Sequence, residues 1–240
     1  MIDPGITNLT NRSDALSHAA LQVDVIADVI CPWCFLGKRR LDDALAAVHG
    51  PSVVSWYPFQ LNPSMPVGGV GFDEYLATRF GDASAVQPAL DHLIETGREH
   101  GVNFRFDRIR TVPNTLDAHR LMQLADRHQR DTSALAEYLM QGFFEDGQDT
   151  GDRDVLVALG ERVGLRSRVI HETLEDETSR QIVLSQEAQV RKGGVTGVPN
   201  FLVNKRLFVT GAQSTEILVN VFDRAMFGEE SDQPASEVVH

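Results

Sequence analysis

Two cysteines, Cys31 and Cys34, stand three positions apart in a chain of 240 residues that holds no others. A thiolate is the nucleophile of disulfide exchange, and a second thiol one helical turn on can attack the mixed disulfide that the first one forms. As a staple the pair would close almost no loop and stabilise little. As a zinc site it would need further ligands, yet there is no other cysteine, and the eight histidines have no ligand-like spacing. Two inert core cysteines, or a vestigial motif on a binding protein, are the plainer alternatives. The surroundings favour chemistry. The apolar, β-branched run 21–30 (LQVDVIADVI) leads straight into Cys31, and Pro32 follows at the start of a helix, where its missing N–H costs nothing. The free N–H groups and dipole of that helix start favour a thiolate at Cys31. Cys31 is therefore expected to attack and Cys34, on the buried helix face, to resolve.

A second feature lies far along the chain, at Gly197-Val198-Pro199-Asn200-Phe201. A proline entering a strand marks a strand edge. Alternatively it is a cis proline packed against the cysteines, leaving the backbone of Val198 free to pair with an extended substrate segment. Near the pair, Trp33 cannot ionise and suits a substrate contact surface. Asp28 could accept the proton of Cys34, or face solvent at a strand end. Lys38 and Arg39 could support the thiolate, or pair with Asp42 and Asp43 on a solvated helix face. Asn114 and His119 begin a helix in the middle of the chain. There they could cap it, or serve as structural polar groups beside Met122.

The elements that must position these residues can be read from periodicity. Cys34, Gly37, Leu41, Ala44, Leu45 and Val48 fall on one helical face, and Gly50-Pro51 ends that helix. Residues 53–60 form a strand whose Pro58 suggests a sheet edge or a strand end. From Asn62 the pattern turns helical, with runs at 72–80, 85–100, 115–128, 133–144, 154–163 and 177–192. Strand returns at 200–203, with a tight turn at Asn204-Lys205 and a partner strand at 206–210. A closing helix at 215–227 points Ile217, Leu218, Val221 and Phe222 inward. The fold class is therefore α/β: a βαβ unit and a ββα unit separated by a large all-helical insertion. The expected domains are a flexible extension at 1–20, a mixed-sheet domain from 21–61 and 193–227, a helical lid at 62–192 and an acidic tail at 228–240.

Composition bounds the partners. With 42% hydrophobic and 23% charged residues the chain is of ordinary globular type. Its formal net charge of −12 disfavours nucleic acid and anionic membrane surfaces. The first residues lack a basic then apolar signal pattern, and no run approaches the roughly 18 apolar residues of a membrane span, so a cytoplasmic location is expected.

The order strand, Cys-Pro-Trp-Cys, helix, helical insertion, Gly-Val-Pro and hairpin resembles the thioredoxin superfamily and, within it, the DsbA family. The match is closer to the FrnE-like subfamily. It runs through Asp28 to Cys34, Gly37 to Leu41, Asn114-Thr115 with Ala118-His119-Arg120, the stretch GQDTGD at 147–152, Gly194 to Pro199, and Gly211-Ala212-Gln213. The resemblance covers about residues 23–227. It implies a thioredoxin fold with a helical lid, a cis Pro199, and dithiol-disulfide exchange or isomerisation on protein or peptide thiols. Pro32, Trp33, Val198, Asn114 and His119 would lie on the substrate side, with the lid helix start looking down on Cys31. No metal or organic prosthetic group is implied. Glutathione or a thioredoxin-type reductant is the expected redox partner. A sister group, the kappa-class glutathione transferases and 2-hydroxychromene-2-carboxylate isomerases, shares the architecture but typically carries serine where this chain has Cys31. A glutathione-dependent small-molecule enzyme is therefore the alternative, and a chaperone-like binding module a third reading. Some FrnE-like proteins carry a second cysteine pair, which this chain lacks.

Overall fold

In the run that opens the structure, every residue of β1 (Leu21–Ala27) except Gln22 is buried. That is the pattern of a strand covered on both faces, which is why it reads as a continuous apolar run. The computed structural model describes residues 21–81 and 83–228. The extension expected at 1–20 and the tail beyond Gly228 lie outside the described residues. The strand stops at Ala27, earlier than the apolar run suggests. Residues 28–31 form a turn instead, in which the Cys31 N–H donates to the Asp28 carbonyl over 3.2 Å.

Helix α1 (Pro32–Ala47) follows, and strand β2 (Ser52–Pro58) pairs parallel with β1 from Leu21↔Ser52 to Ala27↔Pro58. Pro58 is both the last residue of its strand and on the sheet's edge strand, where its missing N–H removes no ladder bond. After the insertion, β5 (Asn200–Val203) pairs antiparallel with β1, and β6 (Leu207–Thr210) with β5, giving the order β2-β1-β5-β6. The connection is three residues, 204–206, because Val203 pairs with Leu207, so the partner strand starts one residue later than expected. Asn204 and Lys205 both have positive φ, 48° and 57°, and the Arg206 N–H donates to the Val203 carbonyl at 3.0 Å, which closes the turn. Asn204 is then fixed by its side chain, which accepts from the Gln22 N–H at 2.8 Å and donates to the Ala225 carbonyl at 3.1 Å. Helix α9 (Thr215–Phe227) closes the unit against α1, β1 and β5. Leu218 and Phe222 of α9 are buried, Val221 is half-buried, and Ile217, expected inward, is exposed.

The insertion comprises helices α2 (Phe72–Phe80), α3 (Ala83–Glu99), α4 (Leu116–Arg127), α5 (Thr132–Phe144), α6 (Arg153–Arg162), α7 (Ser167–Glu175) and α8 (Glu177–Lys192). A two-residue ladder, β3 (Val70–Gly71) with β4 (Thr111–Val112), ties its entry together. Among the described residues, periodicity located every α-helix but α7, a short helix whose Ile170, Thr173 and Leu174 are buried. Two apolar clusters anchor the sheet. Val23 and Val25 of β1 join Phe35, Leu41 and Phe222 in the larger one, which runs on into α4, α5 and α6. Ile26, Tyr57 and Phe59 pack with Val190 of α8 and Val195 in the other, so α8 covers the second sheet face. The result is the α/β thioredoxin arrangement with an extensive helical insertion.

Candidate active site

Cys31 occupies the N-cap of α1 with φ −91° and ψ 115°, and Pro32 is the first helical residue. The Cys31 carbonyl accepts from the N–H groups of Cys34 (3.0 Å) and Phe35 (3.2 Å), which closes the first turn around the pair. Both thiols are free and both are buried. The Cys31 thiol faces the Val198 carbonyl, Sγ to O 3.8 Å. The Val198–Pro199 peptide is cis. Pro199 sits directly over α1 because position 37 is glycine: a Cβ there would lie 3.1 Å from Pro199 Cγ and 3.2 Å from Phe201 Cζ. Two further contacts fix the proline loop. Gly211 N–H donates to the Pro199 carbonyl at 2.8 Å, and Asn200 donates to the Gly197 carbonyl. Asn200, expected only as part of the Gly197–Phe201 stretch, thus closes the turn with its own amide. A surface groove beside the proline is lined by Thr196, Val198, Phe208 and Thr210, and Trp33 stands exposed on the rim of the cysteine pair.

Beneath the pair the chemistry is buried. Burial first, then the neighbouring Cys31, pushes the Cys34 thiol well above the usual thiol range. The nearby Asp28 charge adds to that push, and a backbone hydrogen bond at Asp28 opposes it. Cys34 thus holds its proton, and a resolving attack needs a group to take it. Asp28 does not face solvent: it is fully buried. Its Oδ2 accepts from the Leu61 N–H at 2.7 Å, while Oδ1 has no hydrogen-bond partner among the described residues and lies 3.5 Å from His119 Nε2. His119 is buried too. The structure brings it to Asp28 rather than to the surface by Cys31.

Other expected groups lie elsewhere. Lys38 is buried, with Nζ 2.6 Å from Asp42 and 2.9 Å from Glu137 of α5, and Arg39 reaches the same Glu137 at 2.5 Å. These cations clamp α1 to the insertion rather than reaching the thiols. The Lys38–Asp42 pair follows from i,i+4 spacing, but Arg39 does not use Asp43, and Glu137, a hundred residues on, carried no local signal. Asn114 spends its side chain on three bonds: Oδ1 accepts from Leu116 N–H (3.0 Å) and Gln60 Nε2 (3.2 Å), and Nδ2 donates to the Met65 carbonyl (2.7 Å). Gln60 in turn is held by Glu187 and Arg191, both missed in the sequence.

A family model described as the DSBA-like thioredoxin domain matches residues 22–223. The chain belongs to that family. A probable DsbA oxidoreductase of Streptomyces coelicolor, SCO1869, is 28% identical with a TM-score of 0.78, over 89% of this chain and 92% of that one. The protein YwbO of Bacillus subtilis, described as uncharacterized, is 26% identical over 88% of this chain and 98% of its own length. The cytosolic disulfide reductase DsbM of Pseudomonas aeruginosa, solved with GSH, shares the fold at 17% identity and a TM-score of 0.58, over 86% of this chain and 96% of that one. DsbA-family membership together with the Cys31–Cys34 pair makes this chain a redox-active enzyme, a thiol-disulfide oxidoreductase. No described helix is long and apolar enough to cross a membrane.

Proposed function

We propose that this DsbA-family enzyme exchanges disulfides with protein or peptide thiols in the cytoplasm, as a FrnE-like member. The observation that carries the reading is the nucleophile's position, with Cys31 facing the Val198 carbonyl beside a cis Pro199. That backbone edge is where an extended substrate segment pairs, and pairing would set a substrate sulfur against Cys31. Trp33 offers an apolar contact beside it.

The Cys31 thiolate attacks one sulfur of a substrate disulfide; the Cys31–substrate bond forms and the other sulfur leaves as a thiolate. Cys34 then attacks Cys31 Sγ while its proton passes to Asp28. The mixed disulfide breaks, the second substrate sulfur leaves, and the Cys31–Cys34 pair is oxidised. Glutathione or a thioredoxin-type dithiol returns two electrons and two protons to it. The reverse sequence inserts a disulfide or, with a mixed disulfide at another position, isomerises one. Pro32 holds the first turn, and Asn114 keeps the lid in place by its bonds to Gln60 and Met65.

The test is glutathione-coupled exchange on a scrambled, disulfide-bonded protein, comparing the intact chain with Cys31→Ser and Cys34→Ser. Turnover disappears with Cys31→Ser, and Cys34→Ser accumulates a mixed disulfide visible by mass spectrometry. Equal, negligible turnover in the intact chain and in Cys31→Ser would overturn the reading in favour of a glutathione-dependent small-molecule reaction.

A further inference from the structure

The proton that Cys34 must release has no direct way out. Asp28 is fully buried, and its Oδ2 is already held by the Leu61 N–H at 2.7 Å. A proton arriving there sits on Oδ1, the free oxygen, and that oxygen faces His119 Nε2 at 3.5 Å. His119 Nε2 is itself without a hydrogen-bond partner among the described residues. Two complementary buried polar atoms that face each other and bond to nothing else among the described residues are rare in a folded interior, and such groups ask for an explanation. Neither atom is needed to fasten an element, since Asp28 already anchors the Leu61 backbone through its other oxygen.

His119 also lines a chamber of about 40 Å³, together with Gln123, Asp126, Gln186, Trp56 and Met140 among others. That is room for water, which needs roughly 10–15 Å³ of such space and two or more polar partners. Gln123 Oε1, buried and also unpartnered, supplies one acceptor in the chamber wall. Gln123, Asp126 and Gln186 are each half-buried, so the chamber's far side reaches the surface between β2, α4 and α8.

We propose that His119 is the exit for the resolving-step proton, passing it from Asp28 Oδ1 into the water of this chamber. The inference rests on the reading of Asp28 as the acceptor for Cys34. Imidazole has two distinct nitrogens, so it can take a proton at Nε2 and release another from Nδ1. In the step, the Cys34 S–H bond breaks as the Cys34–Cys31 bond forms and the Cys31–substrate bond breaks. The proton goes to Asp28, then to Nε2, while the Nδ1 proton leaves to water. In reductive recycling the same path returns it. His119 touches no reacting sulfur in this scheme and acts through Asp28. The titratable group facing His119 is Asp28 from the β1–α1 turn, and the chamber it lines also holds Asp126 from its own helix and Tyr57 from β2. Glu187 of α8 is engaged by Gln60 and Arg191, and α5 presents Ala136 and Met140.

Reaction of the reduced full chain with the aromatic disulfide 5,5′-dithiobis(2-nitrobenzoate) separates the steps, because Cys31 attack releases the first chromophore and Cys34 resolution the second. His119→Gln should leave the first release within about twofold and slow the second about tenfold or more, in keeping with the usual scale of positioned proton transfer. The pH profile of the second release, measured in single turnovers, should lose one inflection, and its solvent deuterium isotope effect should change. Gln123→Leu, which leaves the Asp28–His119 pair intact, should slow only the second release as well. It serves as the working variant if His119→Gln does not fold. A slow second release in Asp28→Asn with a normal one in His119→Gln would overturn the relay and leave Asp28 as acceptor. A normal second release in Asp28→Asn would remove both. Equal slowing of both releases in His119→Gln and Gln123→Leu, with a lowered urea midpoint, would mark a structural role and overturn the proposal.

Discussion

The Cys31 thiol and the Val198 carbonyl meet at 3.8 Å although 167 positions separate them in sequence. Everything that keeps Pro199 seated on α1 therefore also sets the nucleophile's surroundings, and Gly37 is the floor of that seat. Gly37→Ala gains about 1 kcal/mol of helix propensity. It also places a methyl 3.1 Å from Pro199 and 3.2 Å from the fully buried Phe201, and such overpacking costs roughly 1–3 kcal/mol. Phe201 has nowhere to go, so the proline loop yields. The net stability change should be small, at most about 2 kcal/mol, while exchange activity falls severalfold. Chemical denaturation and turnover of a disulfide substrate, measured on one preparation, check both halves.

Glu137 carries two of the three cations of α1, Lys38 and Arg39, and its loss should be felt in folding rather than in chemistry. Lys38 is 5% exposed and would be left with Asp42, itself 44% exposed. Removing one partner of a buried pair costs about 3–5 kcal/mol, whereas replacing both by apolar groups is often neutral. Glu137→Leu should therefore lower the urea midpoint strongly. Lys38→Met combined with Glu137→Leu should recover most of the loss, a non-additivity expected of contacting residues. Additive losses would mean that the clamp does not hold α1 to α5.

The contrast between these two sites explains what the sequence could reveal. The cysteine pair, the strand before it and the helix after it are contiguous, so local pattern and turn chemistry sufficed. The hairpin was legible because Asn204-Lys205 is a turn signal between two short apolar runs, although the loop extends through Arg206. Helix α7 was missed because it is short and rich in charge, and a single residue, Asp176, separates it from α8 and caps it. The β3–β4 ladder is two residues long and has no period to detect. The reach of Lys38 and Arg39 to Glu137, and of Asp28 to His119, depends on how the insertion folds back over the sheet. Single-chain periodicity carries no information about that distance.

The buried Cys34 thiol predicts an alkaline loss of stability in the reduced protein. Its folded pKa is raised above the ordinary thiol value of 9.0, chiefly by burial and then by Cys31. A raised folded pKa means that the folded state keeps a proton the unfolded chain releases. The stabilisation is then complete below the unfolded value and is lost as pH rises from there through the folded value, with a slope of up to about 1.4 kcal/mol per pH unit. Under reducing conditions, the difference in unfolding free energy between the intact chain and Cys34→Ala should shrink between about pH 9 and pH 10.5. A flat difference would contradict the burial argument.

Asn114 can be judged by separating stability from binding. Its amide makes three bonds that tie Gln60, Met65 and the start of α4 together. Asn114→Ala leaves the buried Gln60 and the half-buried Met65 and Leu116 without this partner, which costs about 1–3 kcal/mol. The urea midpoint should drop while KM for a protein disulfide stays within about twofold at temperatures where the variant is folded. A raised KM at unchanged stability would instead put Asn114 in contact with substrate.

Trp33 should separate large substrates from small ones. It is 40% exposed beside a buried nucleophile, and its ring lies 6.3 Å from that of His92 on α3, so it forms part of an open apolar rim rather than of the core. Removing it leaves the helix start and the thiol environment intact, because Pro32 and the backbone N–H groups set those. A bound polypeptide that covers an aromatic ring gains roughly 1.5–3 kcal/mol from it. Trp33→Ala should then lower kcat/KM for a disulfide-bonded protein about tenfold or more, since 1.4 kcal/mol is one decade. Glutathione disulfide is too small to need that surface and should react at nearly the rate of the intact chain. Equal losses on both substrates would place the effect of Trp33 in the geometry of the Cys31 turn. An unchanged rate on both would mean that the protein substrate approaches along the Val198 edge without touching the rim.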